Sequence, residues 1–116
     1  MTTVGTLIQM TAEVLSGIVL AQLVRPGTPV LFGCCPAIFD IRYETAPMGA
    51  VETMMIACAA AEVGRSLDLP TQAYIALSDA KTLDTQAGLE TSMGATLAVL
   101  GGIDEIAGPG MLDFIN

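Results

Sequence analysis

The chain alternates long apolar stretches with short polar punctuation. From Thr6 to Val24 apolar residues recur at Leu7, Val14, Ile18 and Ala21, a spacing that predicts a helix. Arg25-Pro26-Gly27 ends it, because Pro26 cannot continue the hydrogen-bond ladder and Gly27 tolerates the turn. Pro29–Cys35, "PVLFGCC", is a short apolar run bounded by prolines and predicts a buried strand. After the polar stretch "AIFDIRYETA", Pro47 suits the first position of a second helix, predicted over Pro47–Leu67 with a stripe at Met48, Val51, Met55 and Cys58. Asp68-Leu69-Pro70 closes that helix, and "TQAYIAL" (Thr71–Leu77) predicts a second strand. Leu89, Met93, Leu97 and Leu100 mark a third helix that Gly101-Gly102 stops. "DEIAG" (Asp104–Gly108) predicts a third strand, and "PGMLDFIN" runs out without a closing element.

The order is therefore α-β-α-β-α-β, which implies a parallel α/β sheet with helices as crossovers. Three strands leave exposed edges, and these vanish if the chain is a wedge of a (β/α)8 TIM barrel, whose complete form needs ~250 residues. A freestanding three-strand layer is the alternative. On either reading residues 1–116 form a single partial or small domain. In parallel α/β folds the loops after the strand C-termini share one face, where ligands bind. "AIFDIRYE" follows the first strand and "SDAKTLDTQ" the second, so both polar clusters belong to that rim. "RPGT" and "DLPT" on the opposite face are turn chemistry.

Charge narrows the partners. The 116 residues carry a formal net charge of −8 with four basic residues, Arg25, Arg42, Arg65 and Lys81. Nucleic-acid binding needs clustered Lys and Arg, so no nucleic-acid partner is expected. Anionic lipid is disfavoured for the same reason, whereas a small cation suits the acidic balance. The N-terminus lacks a basic region before its first apolar run, so no secretory signal is expected. Val14–Val24, the longest apolar run, is broken by Ser16, Gly17 and Gln22 and falls short of the ~20 residues a membrane helix needs. A cytoplasmic protein with no membrane partner is the default expectation. Cys34, Cys35 and Cys58 form no C-x-x-C pair and the chain has no histidine, which argues against bound zinc and against a thiolate–imidazole pair. Cys34 and Cys35 read as buried small residues, and Met48, Met54 and Met55 as core filling.

The polar clusters hold the candidate chemistry. Asp84 stands where the N-cap of the third helix belongs, and Asp79 follows the second strand at the rim. Gln86 and Glu90 are four residues apart and share a helix face. Glu90 suits a first-turn acid, yet its neighbours Leu89 and Met93 set it beside the buried stripe, where it would need a partner. Asp40 and Arg42 fit a structural ion pair as well as substrate contact. Phe39 and Tyr43 offer ring faces to a methylammonium group, and packing is the plainer role for such rings.

"EVLSGIVLAQLVRPGTPVLFG", "DIRYETAPMGAVE", "SDAKTLDTQAGLE" and "GGIDEIAGPGMLDF" together resemble the trimethylamine methyltransferase family, corrinoid-dependent enzymes that include trimethylamine and glycine betaine methyltransferases. The resemblance runs through nearly the whole chain, and D-A-K-x-x-D-x-Q-A-G-x-E is its most specific part. Family members are longer (β/α)8 barrels, so it implies a partial chain. It also implies methyl transfer from a tri- or quaternary methylamine to the cobalt of a corrinoid supplied by a separate carrier protein, with a homo-oligomeric full-length enzyme and no metal bound by this chain itself. Some members carry pyrrolysine; none occurs here, and Lys81 is not assigned that role. Under this reading Asp79 and Glu90 are the catalytic candidates, and Asp40, Arg42, Tyr43, Asp84 and Gln86 the substrate-binding ones. The alternatives are a non-catalytic structural piece of a barrel, active only when assembled, or another barrel enzyme acting on a small cation.

Overall fold

The computed structural model describes residues 2–113. Its elements are α1 (Thr3–Val24), β1 (Phe32–Cys34), α2 (Val51–Ser66), β2 (Thr71–Tyr74), α3 (Thr85–Leu100) and β3 (Glu105–Ala107). The order is the one the pattern predicts. The strands form a single sheet in the order β1-β2-β3, and both pairings are parallel. Phe32 lies opposite Thr71, and Ala73 lies opposite both Cys34 and Ile106. The fold is therefore α/β with a parallel sheet.

The helices line up against one face of that sheet. Met10, Phe32 and Ala60 join α1, β1 and α2, flanked by Leu7, Val14, Leu15 and Ile18 of α1. Met54, Ala57 and Ala61 of α2 meet Ala73, Ile75, Ala98 and Ile103 in the larger cluster beside α3. Thr71 and Ala73 are buried, whereas their neighbours Gln72 and Tyr74 are half-buried. The side chain of Gln72 lies against Gly33, where an added Cβ would meet its Oε1 at 2.5 Å. Period-two alternation thus gives the sheet one apolar face against the helices and a second, more polar face.

Several boundaries differ from the pattern. The strands are shorter than predicted because pairing, which apolarity does not report, ends them. β1 spans Phe32–Cys34 rather than Pro29–Cys35, and β2 stops at Tyr74 rather than Leu77. Ile75 still donates its amide to Ala107, but Ala76 turns to φ +66°, which breaks the extended run. β3 spans Glu105–Ala107, yet the chain beyond it is tied down. Ser78 donates to the Met111 carbonyl at 3.0 Å and accepts from the Asp113 amide at 2.9 Å, so the segment read as running out pairs beside Ser78. Residues 114–116 lie outside the described range.

The helices also depart in detail. α2 begins at Val51 after Ala50, which provides no side-chain cap, so Pro47 does not occupy its first turn. Its buried residues are Thr53, Met54, Ile56, Ala57, Ala60, Ala61 and Gly64, while Val51 and Met55 are exposed. The expected stripe through Val51 and Met55, with Met55 as core filling, is corrected. Val51 and Met55 share their face of α2 with Glu62 and Arg65, which are exposed, so that face turns to solvent. The face rich in small residues wins because it permits close approach: a Cβ on Gly64 would come within 2.7 Å of Thr71 Cγ2 and 3.0 Å of Phe32 Cδ1. α1 starts at Thr3, with Thr2 accepting from the Gly5 amide as N-cap. At 22 residues it is long and apolar enough, by length and composition, to cross a membrane, and its Leu7, Met10, Val14, Leu15 and Ile18 pack against β1 and α2. Val4, Ile8, Leu20, Leu23 and Val24 are exposed on it.

Candidate functional site at the strand C-terminal rim

Parallel pairing sends the loop after β1 and the loop after β2 to the same end of the sheet. Side chains then fasten them together. Asp79 Oδ1 accepts the Met48 amide and Oδ2 accepts the Gly49 amide, both at 2.8 Å. One carboxylate therefore anchors the chain just before α2, which has no side-chain cap of its own. Behind Asp79 stands Glu90, one and a half turns into α3. Its Oε2 accepts from Ser78 Oγ at 2.5 Å and from the Asp79 amide at 2.9 Å, and its Oε1 accepts from Gln86 Nε2 at 2.9 Å. The half-buried acid beside the apolar stripe thus has its partners.

Ser78 is the hub of this network and escaped the sequence reading. It is buried, donates its hydroxyl to Glu90 and accepts the Ala80 amide at 3.0 Å. Through its backbone it also holds Met111 and Asp113. Gly49 escaped as well: a Cβ there would lie 2.5 Å from Glu90 Oε2 and 3.1 Å from Asp79 Oδ2. Only a glycine lets this backbone rest against two carboxylates. A serine after an apolar strand and a glycine after Pro47-Met48 gave no signal, since Gly49 owes its importance to Asp79 and Glu90 on the next post-strand segment and Ser78 to Glu90 on α3 and to the chain beyond β3.

The result is a rim cavity of about 280 Å³ that draws on all three post-strand segments. Thr45, Ala46 and Pro47 come from the loop after β1, Asp79 and Lys81 from the loop after β2, and Asp113 from the segment after β3. Lys81 pairs with Asp113 across the cavity wall. The lining thus presents two carboxylates and one ammonium, and Glu90 supports it from behind without lining it.

The other candidates sit apart from the cavity lining. Asp84 is the N-cap of α3, accepting the Ala87 amide at 3.0 Å. Gln86 is exposed and contacts Glu90. Asp40 grips Arg42 through the backbone amide at 2.8 Å, Nε at 3.2 Å and Nη2 at 2.9 Å. The Arg42 hydrogen bonds hold the Asp40 carboxyl below the ordinary carboxylate range, and Asp40 raises Arg42 in return. Reciprocal backbone bonds between Asp40 and Thr45 close this turn, and the Arg42 guanidinium lies 5.8 Å from the Tyr43 ring centroid. Tyr43 and Phe39 are exposed.

Cys34 is partly buried, while Cys35 is exposed, which corrects its reading as a buried small residue. Burial, with the neighbouring Cys35 thiol as a lesser cause, pushes Cys34 up to about 11; burial also raises Cys35. Neither shift favours a thiolate nucleophile. Among the described residues no cluster of three or more acidic or cysteine side chains is arranged to hold a metal ion.

The family model for trimethylamine methyltransferase (MTTB) matches residues 1–113. The chain belongs to the trimethylamine methyltransferase family. Among its relatives, trimethylamine methyltransferase MttB of Methanosarcina barkeri is 45% identical over 109 residues, 94% of this chain and 22% of that protein. A glycine betaine methyltransferase of Desulfitobacterium hafniense is 40% identical over 100 residues, 86% of this chain and 21% of that protein. An MttB of the same species is 38% identical over 112 residues. The chain therefore spans about a fifth of the length of the family members it matches.

Proposed function

We propose that this chain is a three-unit wedge of a (β/α)8 barrel whose rim cavity binds a tri- or quaternary methylamine for methyl transfer. Membership of the family over residues 1–113 carries this reading. The fold supports it: a parallel sheet has helices on one face and a second face lined by Gly33, Gln72 and Tyr74, the layering of a barrel sector. The exposed apolar residues of α1 and the open strand edges are then covered by the remainder of the barrel, and the 116 residues alone are inactive.

The reaction is displacement at a methyl carbon. The C–N bond would break with its electron pair leaving on the amine, and a cob(I) corrinoid brought by a separate protein as co-substrate would supply the electron pair of the new bond to the methyl carbon, its cobalt going from Co(I) to Co(III). A quaternary ammonium carries its leaving group already activated, so the protein's task is to position the methyl and exclude water. The carboxylates of Asp79 and Asp113 steady the cation, and Lys81 moderates their combined charge so that binding relaxes as the positive charge disappears. Glu90 acts as a positioning residue, because it holds the Asp79 amide and the Ser78 hydroxyl. Asp84 serves α3 as its cap, and Asp40 with Arg42 shapes the neighbouring turn.

The test is methyl transfer by the full-length enzyme, followed by the absorbance change of cob(I)alamin on methylation. Wild type should turn over a tri- or quaternary methylamine, and Asp79→Asn should lose most of that activity. A wild-type enzyme inert toward all such amines would overturn the reading, and undiminished turnover in Asp79→Asn would remove Asp79 from the site.

A further inference from the structure

The chain beyond β3 turns back at Gly108-Pro109-Gly110, with φ of +124° at Gly108 and +88° at Gly110 and the Met111 amide donating to the Gly108 carbonyl at 3.1 Å. Residues 111–113 then lie beside Ser78 as a short strap that carries Asp113 into the wall of the rim cavity. We infer that Tyr74 is a positioning residue for the reaction: its hydroxyl tethers this strap through Met111 and so sets the Asp113 carboxylate beside the bound cation. The inference rests on the methyl-transfer reading.

Tyr74 is the last residue of β2 and stands on the sheet face turned away from the helices, half-buried, opposite the small residue Ala107 of β3. Its hydroxyl donates to Met111 Sδ, a contact between residues 37 apart that forms only when the strap folds back beside β2. A half-buried phenol needs a hydrogen-bond partner, and here the thioether supplies it. The same methionine offers its carbonyl to the Ser78 amide at 3.0 Å, so Met111 is held from two directions at once.

The other ties of the strap leave work for this one. Its two backbone bonds to β2's continuation both end on Ser78, one from the Ser78 amide and one from the Asp113 amide at 2.9 Å to the Ser78 carbonyl. Two bonds to one residue allow the strap to pivot about it. The charged tie, Lys81 to Asp113, has a lysine side chain 77% exposed, so solvent screening keeps it weak. The two left-handed glycines give the turn before the strap the freedom to swing. Tyr74 provides a second fixed point, four residues before Ser78, on a side chain with only two rotatable angles. A carboxylate that swings away loses contact with the ground-state cation more than with a transition state in which the positive charge is disappearing. KM should therefore move more than kcat.

The experiment uses the full-length enzyme with trimethylamine and glycine betaine as probes. Tyr74→Phe keeps the ring and removes the hydroxyl; it should raise KM for the amine turned over about threefold, with a smaller change in kcat. In an Asp113→Asn background, where asparagine tolerates the φ of +41°, the same substitution should have no further effect on KM. Amide hydrogen exchange at Asp113 should also quicken about threefold in Tyr74→Phe. An unchanged KM, or an equal rise in the Asp113→Asn background, overturns the role of Tyr74 in setting Asp113. So does a lowered melting temperature with KM and exchange at Asp113 unmoved, which would mark the tyrosine as packing alone. A wild-type enzyme inert toward both amines overturns the methyl-transfer reading, and the positioning role with it.

Discussion

The substitution Asp79→Asn separates the two roles a carboxylate plays at the rim. Both Asp79 oxygens accept a backbone amide at 2.8 Å, from Met48 and from Gly49. Asparagine keeps one acceptor oxygen and turns an NH2 group toward the other amide, so one hydrogen bond becomes a donor–donor contact. Met48 and Gly49 are both buried, so the deserted N–H has little access to water. Losing a charge-assisted bond costs about 1.5–3 kcal/mol and stranding a buried donor a comparable amount; the two overlap here, and Asp79 is partly solvated. We take about 2 kcal/mol, which makes local opening of the loop before α2 about thirtyfold easier. Amide hydrogen exchange at Met48 and Gly49 reads this directly. Glu90→Gln is the control. Its amide oxygen can still accept from Ser78 and Asp79, while its NH2 faces Gln86, whose own amide can rotate to accept. Exchange at Met48 and Gly49 should then change less than about threefold. Unaltered exchange in Asp79→Asn, or a greater acceleration in Glu90→Gln, would refute the brace.

Three further outcomes follow from the same geometry. Gly94→Ala should destabilise by about 1–3 kcal/mol or more, read as the urea midpoint, because its Cβ would meet the Ala76 backbone N and Cα at 2.7 and 2.8 Å. Gly88→Ala, with open space around it, should instead stabilise by about 0.5–1 kcal/mol; equal effects would show that the close approach is not felt. The Thr71 amide and hydroxyl hold the Asp104 carboxyl below its ordinary value of 3.8. Because the folded value is depressed, the stabilisation is present above pH 3.8 and is lost as pH falls through the folded value, so Asp104→Asn should flatten the acid limb of the stability profile; parallel limbs would refute this. At pH 8 a thiol reagent should label exposed Cys35 well before Cys34, whose thiol is pushed up to about 11; equal rates would contradict the burial of Cys34.

The α-β-α-β-α-β order and the parallel sheet were legible in the sequence because they depend on local signals. Apolar runs of strand length, helical spacing and the breaks at Arg25-Pro26-Gly27, Asp68-Leu69-Pro70 and Gly101-Gly102 each act within a few residues. The same locality exposed Asp84, whose capping partner Ala87 is three residues on. The family, too, was readable from motifs that lie contiguous in the chain. Tertiary structure alone decided how closely α2 seats on the sheet, because that depends on how near Gly64 lets the helix approach Phe32 and Thr71. It alone joined Ser78 to Glu90 and Asp79 to Met48 and Gly49. The Asp79 bonds, which join segments about thirty residues apart, exist only once the parallel strands have carried both loops to one end of the sheet, and the Ser78–Glu90 bond only once α3 packs back beside the end of β2; nothing in the local sequence around Ser78 or Gly49 records either meeting.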